Sequence, residues 1–265
     1  MSKPLIDNIV FPFKLLFQSV LNYKYKPERY ANIFVSSTPK VFEAELFKFP
    51  RIIYVFWTGE NEMSDNRKSC IESIKKNAGV EVVLVTPTNL DSFILSDYPL
   101  HSAFEYLSHV HKSDYLRCYF MYHFGGGYSD VKMCTKNWVN AFEKLEKSKK
   151  WLLGYREIKT RALAKAEGNM KLDMHKHYLS VIGNCAYICR PKNPFCKEWY
   201  DELHIRLDNY AEALKNNPGN IFGDNQGYPI SWSYILGDIF HPLCLKYTEN
   251  IIKTNTIKPD FRNYR

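Results

Sequence analysis

The run Ile52-Ile53-Tyr54-Val55-Phe56-Trp57 constrains the fold most, because it offers no polar residue to water. A strand of β-branched and aromatic residues without alternation is one buried on both faces. Thr58-Gly59-Glu60-Asn61 ends it. Ser64 then caps a helix in which Cys70, Ile71, Ile74 and Ala78 share one stripe, and Gly79 stops it. Val80-Glu81-Val82-Val83-Leu84-Val85 reads as a second strand, closed by Pro87. Strand, helix and strand in such close succession form a βαβ unit, and hence an α/β sheet.

The rest of the chain continues the pattern. His111 to Phe124 carries Tyr115, Leu116, Tyr119, Phe120 and His123 at helical steps, and Gly125-Gly126-Gly127 ends that helix. Tyr128 to Met133 reads as a short strand, as do Trp151 to Tyr155 and Asn184 to Cys189. Pro194 opens an amphipathic helix through Trp199, Leu203 and Leu207. Residues 215–229 read as a loop, and the tail from Lys246 is polar and basic. The segment from Lys159 to Lys176 is basic and reads as a lid over a binding site or a solvated loop, and Asp173, His175 and His177 are placed in a loop with it.

Residues 1–21 hold Leu5, Ile6, Ile9, Val10, Phe13, Leu15, Leu16, Phe17, Val20 and Leu21, several at three- and four-residue steps. A short helix follows from that spacing, with Pro12 as its start or kink. Lys14, Lys24, Lys26 and Arg29 suit a basic skirt on an interfacial membrane helix; packing on the domain's own core explains the stripe equally well. The expected division is an N-terminal helical or membrane-peripheral segment over 1–45 and one α/β domain over 46–265.

Charge and aromatic content leave several partners open. The chain has 265 residues with 36 Lys and Arg against 28 Asp and Glu, a net +8, and 15% aromatics. Nucleic acid, an anionic membrane and a phosphorylated substrate are all candidates for such a chain. The aromatics fall on strands and helix stripes, where core packing accounts for them, so a nucleic-acid partner is not expected. No stretch approaches the ~18 consecutive apolar residues of a membrane-spanning helix. Asp7 and Asn8 interrupt the first apolar run, so no secretory leader is expected. Seven cysteines without CxxC spacing read as reduced core thiols of a cytoplasmic protein.

The chemistry concentrates in Lys112-Ser113-Asp114-Tyr115-Leu116-Arg117 and Gly125-Gly126-Gly127-Tyr128-Ser129-Asp130-Val131-Lys132. Asp114 and Arg117 are three apart, hence neighbours on a helix surface. Glycines admit close approach to the backbone. A carboxylate at a strand end can hold a hard cation that clamps a diphosphate.

These segments, with Arg51 to Trp57 and Ile182-Gly183-Asn184-Cys185-Ala186-Tyr187-Ile188 before Pro191 to Phe195, resemble the DXD-containing glycosyltransferases of the family 32 and capsular-polysaccharide-synthesis type. The resemblance covers roughly residues 50–200. It implies a GT-A-type fold, with a Rossmann-like nucleotide-sugar-binding mixed sheet flanked by helices. It implies a hexosyltransferase using a UDP-sugar, with galactose or glucose expected, on a surface-polysaccharide or lipopolysaccharide acceptor, with retention; the inverting alternative needs a carboxylate or His base on the opposite face of the sugar. The acceptor would be lipid-linked or an oligosaccharide, and the location cytoplasmic, peripheral at the inner membrane.

By the same resemblance Asp114 and Arg117 lie near the donor's sugar and phosphates. Asp130 is the first acid of the DXD. Gly126 and Gly127 lie beneath the donor, beside Tyr128. Phe56, Trp57 and Thr58 meet the base and ribose. Asn184 lines the sugar pocket, and His241 is a late metal ligand. Asp224-Asn225-Gln226 is a further polar group within reach of donor or acceptor. The second acid of the DXD is Lys132 here. Two readings follow: Asp130 binds Mn²⁺ or Mg²⁺ with Lys132 turned away, or Lys132 itself neutralises the diphosphate. A chain that keeps the fold and binds sugar or nucleotide without turnover is the alternative function.

Overall fold

The computed structural model describes residues 23–42, 49–157 and 159–262. The helix expected over 1–21 and the division at 45/46 lie outside the described residues. The first two strands pair as their apolar runs require: β1 (Ile52–Phe56) and β2 (Glu81–Val85) are parallel, with Ile53 opposite Val82. Between them runs α1 (Asp65–Asn77), with Ser64 as the N-cap accepting from the Arg67 amide.

The period of two along β1 divides the core. Tyr54 and Phe56 join one apolar cluster, and Ile53 and Val55 the other, on the opposite face of the sheet. Against the first face packs α2 (His109–His123), which is buried from Asp114 through His123. Phe120 at its centre meets Tyr54 at 4.9 Å and Phe56 at 5.0 Å between ring centroids. Against the second face packs α3 (Val139–Glu146), through Ala141, Phe142 and Leu145.

Gly125 ends α2 in the left-handed region at φ +68°, and its amide bonds back to the Phe120 carbonyl at 3.0 Å. Gly126 follows at φ +88°, and a Cβ there would come within 2.8 Å of the Ile52 carbonyl oxygen. The strand β3 (Gly126–Ser129) is shorter than Tyr128 to Met133 suggested, and displaced. The amide of Asp130 still bonds to Cys185 O at 2.8 Å, but that of Lys132 turns back to Asp130 O at 2.7 Å. The chain therefore leaves the sheet at Asp130.

The sheet has six strands in the order β2-β1-β3-β5-β4-β6, adding β4 (Leu152–Arg156), β5 (Ile182–Cys189) and β6 (Ile251–Lys253). Only β5 runs against its neighbours. Over the first face lie α5 (Pro194–Asn216) and α6 (Gly237–Lys246). This is the α/β sheet that the strand–helix–strand pattern called for, with the mixed strand directions and flanking helices that the resemblance implied. β2 lies on one side of β1 and β3 on the other, so the chain reverses its winding between β1 and β3. The crevice at the carboxyl ends of such a strand pair is where open α/β sheets bind ligands.

The segment around Asp173 differs from the loop expected there. It is helical, as α4 (Gly168–Lys176), and not a loop. Local pattern is weak there because the helix is held from afar. Asp173 is buried and accepts from Arg29 Nε and Nη2, each at 3.0 Å, and from Tyr30 Oη at 2.7 Å.

Candidate active site

The crevice between β1 and β3 is built around charges that α2 and the turn after β3 bring together. Ser108 starts α2 by accepting from the His111 amide at 3.1 Å. One turn on, Asp114 and Arg117 face each other, with Arg117 Nη2 at 3.0 Å from Asp114 Oδ1. The guanidinium also donates to the Asn184 carbonyl at 2.9 Å and lies 3.4 Å from Asp130 Oδ1. Its plane sits 4.3 Å from the centroid of the Tyr128 ring. Tyr128 donates its hydroxyl to Asp130 Oδ1 at 2.5 Å, and Lys132 Nζ pairs with Asp130 Oδ2. Lys132 is thus turned toward Asp130, not away from it. Its ammonium also lies 3.6 Å from Cys185 Sγ.

The two acids respond in opposite senses to one buried setting. Burial raises the Asp114 carboxyl to about 7, more than Arg117 pulls it down, and Asp130 adds to the rise. Burial would raise Asp130 too, but Lys132 and Arg117 outweigh it and hold the carboxyl well below the usual range. For Arg117, burial works against the charged form, and Tyr128, Asp114 and Asp130 more than restore it. The cluster therefore presents a fixed ion pair at Asp130–Lys132, with a permanently charged guanidinium behind it.

Of the residues named from the sequence, Asp114, Arg117, Tyr128, Asp130 and Lys132 converge, and Asn184 joins them through its carbonyl. Phe56 does not present its ring to a ligand: it is 5% exposed and stacks on Tyr128 at 5.7 Å. Trp57 and Thr58 are half-buried at the crevice; Trp57 Nε1 donates to Asn61 O at 3.0 Å, and Thr58 Oγ1 to His109 O at 2.5 Å. Gly126 and Gly127 make their close approaches to the protein's own backbone and core. They stand at the amino end of β3, where a Cβ on Gly127 would lie 3.2 Å from Ile53 and from Trp138. Asp224 and Asn225 are used inside their own loop, accepting from the Asn220 side chain and amide at 2.6 and 2.9 Å.

The residues at Asp130 do not fit a Mn²⁺ or Mg²⁺ site in this arrangement. Such hard ions need about six oxygen ligands, and both Asp130 oxygens are already engaged by Tyr128, Arg117 and Lys132. Burial holds His241 neutral, its pKa lowered to about 4, and its Nδ1 accepts from the Ala164 amide at 2.9 Å. Among the described residues no three His, Cys, Asp or Glu side chains are grouped to share a metal.

Three features escaped the sequence. Phe261 lies 5.5 Å from Lys132 Nζ, and the amide of its neighbour Asp260 bonds to Met133 O at 2.9 Å, so the C-terminal segment covers the lysine. Trp232 is 65% exposed in the loop whose residues Asn220 and Ile221 accept from the first amides of α2. Asp238, in the first turn of α6, keeps one carboxylate oxygen buried without a hydrogen bond. An aromatic in a Gly- and Asn-rich loop is a readable signal for Trp232; nothing local marks the other two. A shallow hollow of about 410 Å³, lined by Lys136, Asn255 and Lys258 among others, flanks the C-terminal segment and touches the charge cluster only through Phe261.

Inositol phosphoceramide mannosyltransferase 1 of Schizosaccharomyces pombe is 29% identical over 99 residues, which are 35% of this chain and 30% of that protein. The chain therefore aligns with less than a third of that relative's length. The solved structure of PaToxG glycosyltransferase overlaps 64% of this chain and 66% of its own, at 16% identity and a TM-score of 0.39. The family model for capsular polysaccharide synthesis protein matches residues 13–169, which is 157 of 265 residues and includes β1, α2 and the Asp130–Lys132 turn. By that match over more than half its length, the chain belongs to the capsular polysaccharide synthesis protein family.

Proposed function

We propose that this chain is a glycosyltransferase of GT-A type that moves a hexose from a nucleotide-sugar, with UDP as the expected nucleotide, without a bound metal. One observation supports the reading above all: an ammonium, Lys132, is paired to Asp130 at the carboxyl end of β3. A departing nucleoside diphosphate needs positive charge aimed at its oxygens. Lys132 and Arg117 are two such charges, held by Asp130 and Asp114 before any ligand arrives. The donor diphosphate lies against Lys132, and Asp114 orients hydroxyls of the sugar. Trp57 and Thr58 take the nucleoside side.

In this reading the acceptor hydroxyl attacks C1 of the sugar on the face that the diphosphate leaves. One C1–O bond breaks, another forms, and the hydroxyl proton passes to the released diphosphate. Configuration is retained. The acceptor is a surface-polysaccharide or lipopolysaccharide precursor, in keeping with the family. Galactose and glucose are the expected sugars, and the mannosyltransferase relative adds mannose to those worth testing.

A nucleotide-sugar panel with purified protein tests this. Release of nucleoside diphosphate from one donor, abolished in Asp130→Ala, is the expected outcome. Nucleotide binding without turnover of any donor would instead make the chain a binding protein on the same fold.

A further inference from the structure

Positive charge is distributed very unevenly over this molecule. Residues 23–42 and 159–176 contain nine Lys and Arg against three Asp and Glu, a net +6 of the chain's +8. The two stretches are far apart in sequence and joined in space. Arg29 and Tyr30 bond to Asp173, Asn169 Nδ2 donates to Arg29 O at 3.0 Å, and the Tyr23 ring stands 4.7 Å from that of His177. One of the three acids, Asp173, is buried in that joint. All nine cations are exposed.

Within this face α4 is built as a surface helix. Met170, Asp173 and Met174 point inward and are buried. Lys171, Leu172, His175 and Lys176 are exposed, and Leu172 is left 64% exposed between cations. An apolar side chain flanked by lysines suits the boundary between headgroups and acyl chains. The face also borders the crevice. Ala164 donates to His241, and Gly237 backs onto both Ala164 and Asn184, where a Cβ would meet them at 2.7 and 3.7 Å.

We infer that residues 23–42 and 159–176 form a docking face for an anionic phospholipid surface. Charge complementarity carries the inference. Each Lys or Arg near such a surface contributes about 1 kcal/mol, or roughly fivefold in affinity. The face brings the Asn184 side of the crevice toward the bilayer; that this delivers an acceptor there rests on the function proposed above.

The test is sedimentation of the full chain with vesicles of phosphatidylglycerol and phosphatidylcholine, and with vesicles of phosphatidylcholine alone. The wild type should bind only the anionic vesicles, and less as salt rises. Combining Lys24→Glu, Lys26→Glu and Lys171→Glu takes the face from +6 to zero, since each change removes two charges. That variant should bind at least about a hundredfold more weakly, with an unaltered melting midpoint. Leu172→Asp alone should weaken binding severalfold. Equal binding to neutral vesicles would overturn the inference, as would undiminished binding by the triple variant. So would binding to a soluble polyanion with no binding to anionic vesicles. If the triple variant melts early, Leu172→Asp and the salt dependence decide the matter. Each of these failures would leave donor turnover, and so the reading of the crevice, untouched.

Discussion

Two regions of this protein are rich in positive charge, and they are organised in opposite ways. At the carboxyl end of β3, Arg117 and Lys132 are buried and each is matched to an acid. On the face made by residues 23–42 and 159–176, nine cations stand exposed, and one of them, Arg29, pairs with the buried Asp173. Buried charges act over a few ångströms, are screened little, and are costly unless paired. Exposed charges act together, over a Debye length, and individually contribute little. The first arrangement suits stabilisation of a leaving group, the second attraction to an extended anionic surface.

The largest expected effect lies in the buried region. Lys132→Ala should lower turnover by about 10²–10³-fold, the usual loss when one preorganised donor to developing charge is removed. Lys132→Arg should restore part of it, because the charge remains while its geometry changes. A structural role alone would instead show as early melting with a normal rate per folded molecule.

Asp114 gives a pH signature that the exposed region lacks. Its carboxyl is raised to about 7 in the folded protein, against about 4 in an unfolded chain. The stabilisation it gives is therefore present below about pH 4 and is lost as pH rises through about 7. Unfolding free energy followed from pH 4 to 8 should decline in the wild type more than in Asp114→Asn, whose side chain cannot ionise. Equal slopes would show that Asp114 is ionised throughout.

The smallest effect should come from the exposed region. Neutralising Lys171 alone should leave the melting midpoint and donor turnover within error, since substitutions of exposed side chains away from special contacts are close to neutral. Asp173→Asn, at the joint beneath the same face, should lower the midpoint, because Arg29 and Tyr30 lose their shared carboxylate. If both changes were equally harmless, residues 23–42 would not be tied to α4 as the structure has it.

What the sequence made legible follows the range of the contacts. β1, α1, β2 and α2 are written locally, in an apolar run, a Ser cap, a helical stripe and a glycine stop. The convergence of Asp114, Arg117 and Asp130 was readable because three-residue spacing fixes one pair and the glycine turn delivers the third. α4 was not readable, because its order comes from Arg29, 144 positions away. Phe261 over Lys132 and Ala164 on His241 are likewise long-range, and the orientation of Lys132 depends on Asp130, Cys185 and Phe261 together. Phe56 and the glycines at 126 and 127 had the right residue types for a ligand site. Their surroundings are core, which no local pattern distinguishes.

In the proposed reading Lys132 supplies the positive charge that a metal ion would otherwise bring to the diphosphate. The most direct test is turnover of the accepted nucleotide-sugar in excess EDTA, compared with turnover in Mn²⁺, for the wild type and for Lys132→Asp. Wild-type rates should be equal in both conditions, and Lys132→Asp should be inactive in EDTA and regain activity with Mn²⁺. A wild type that stops in EDTA and recovers with Mn²⁺ would contradict that reading.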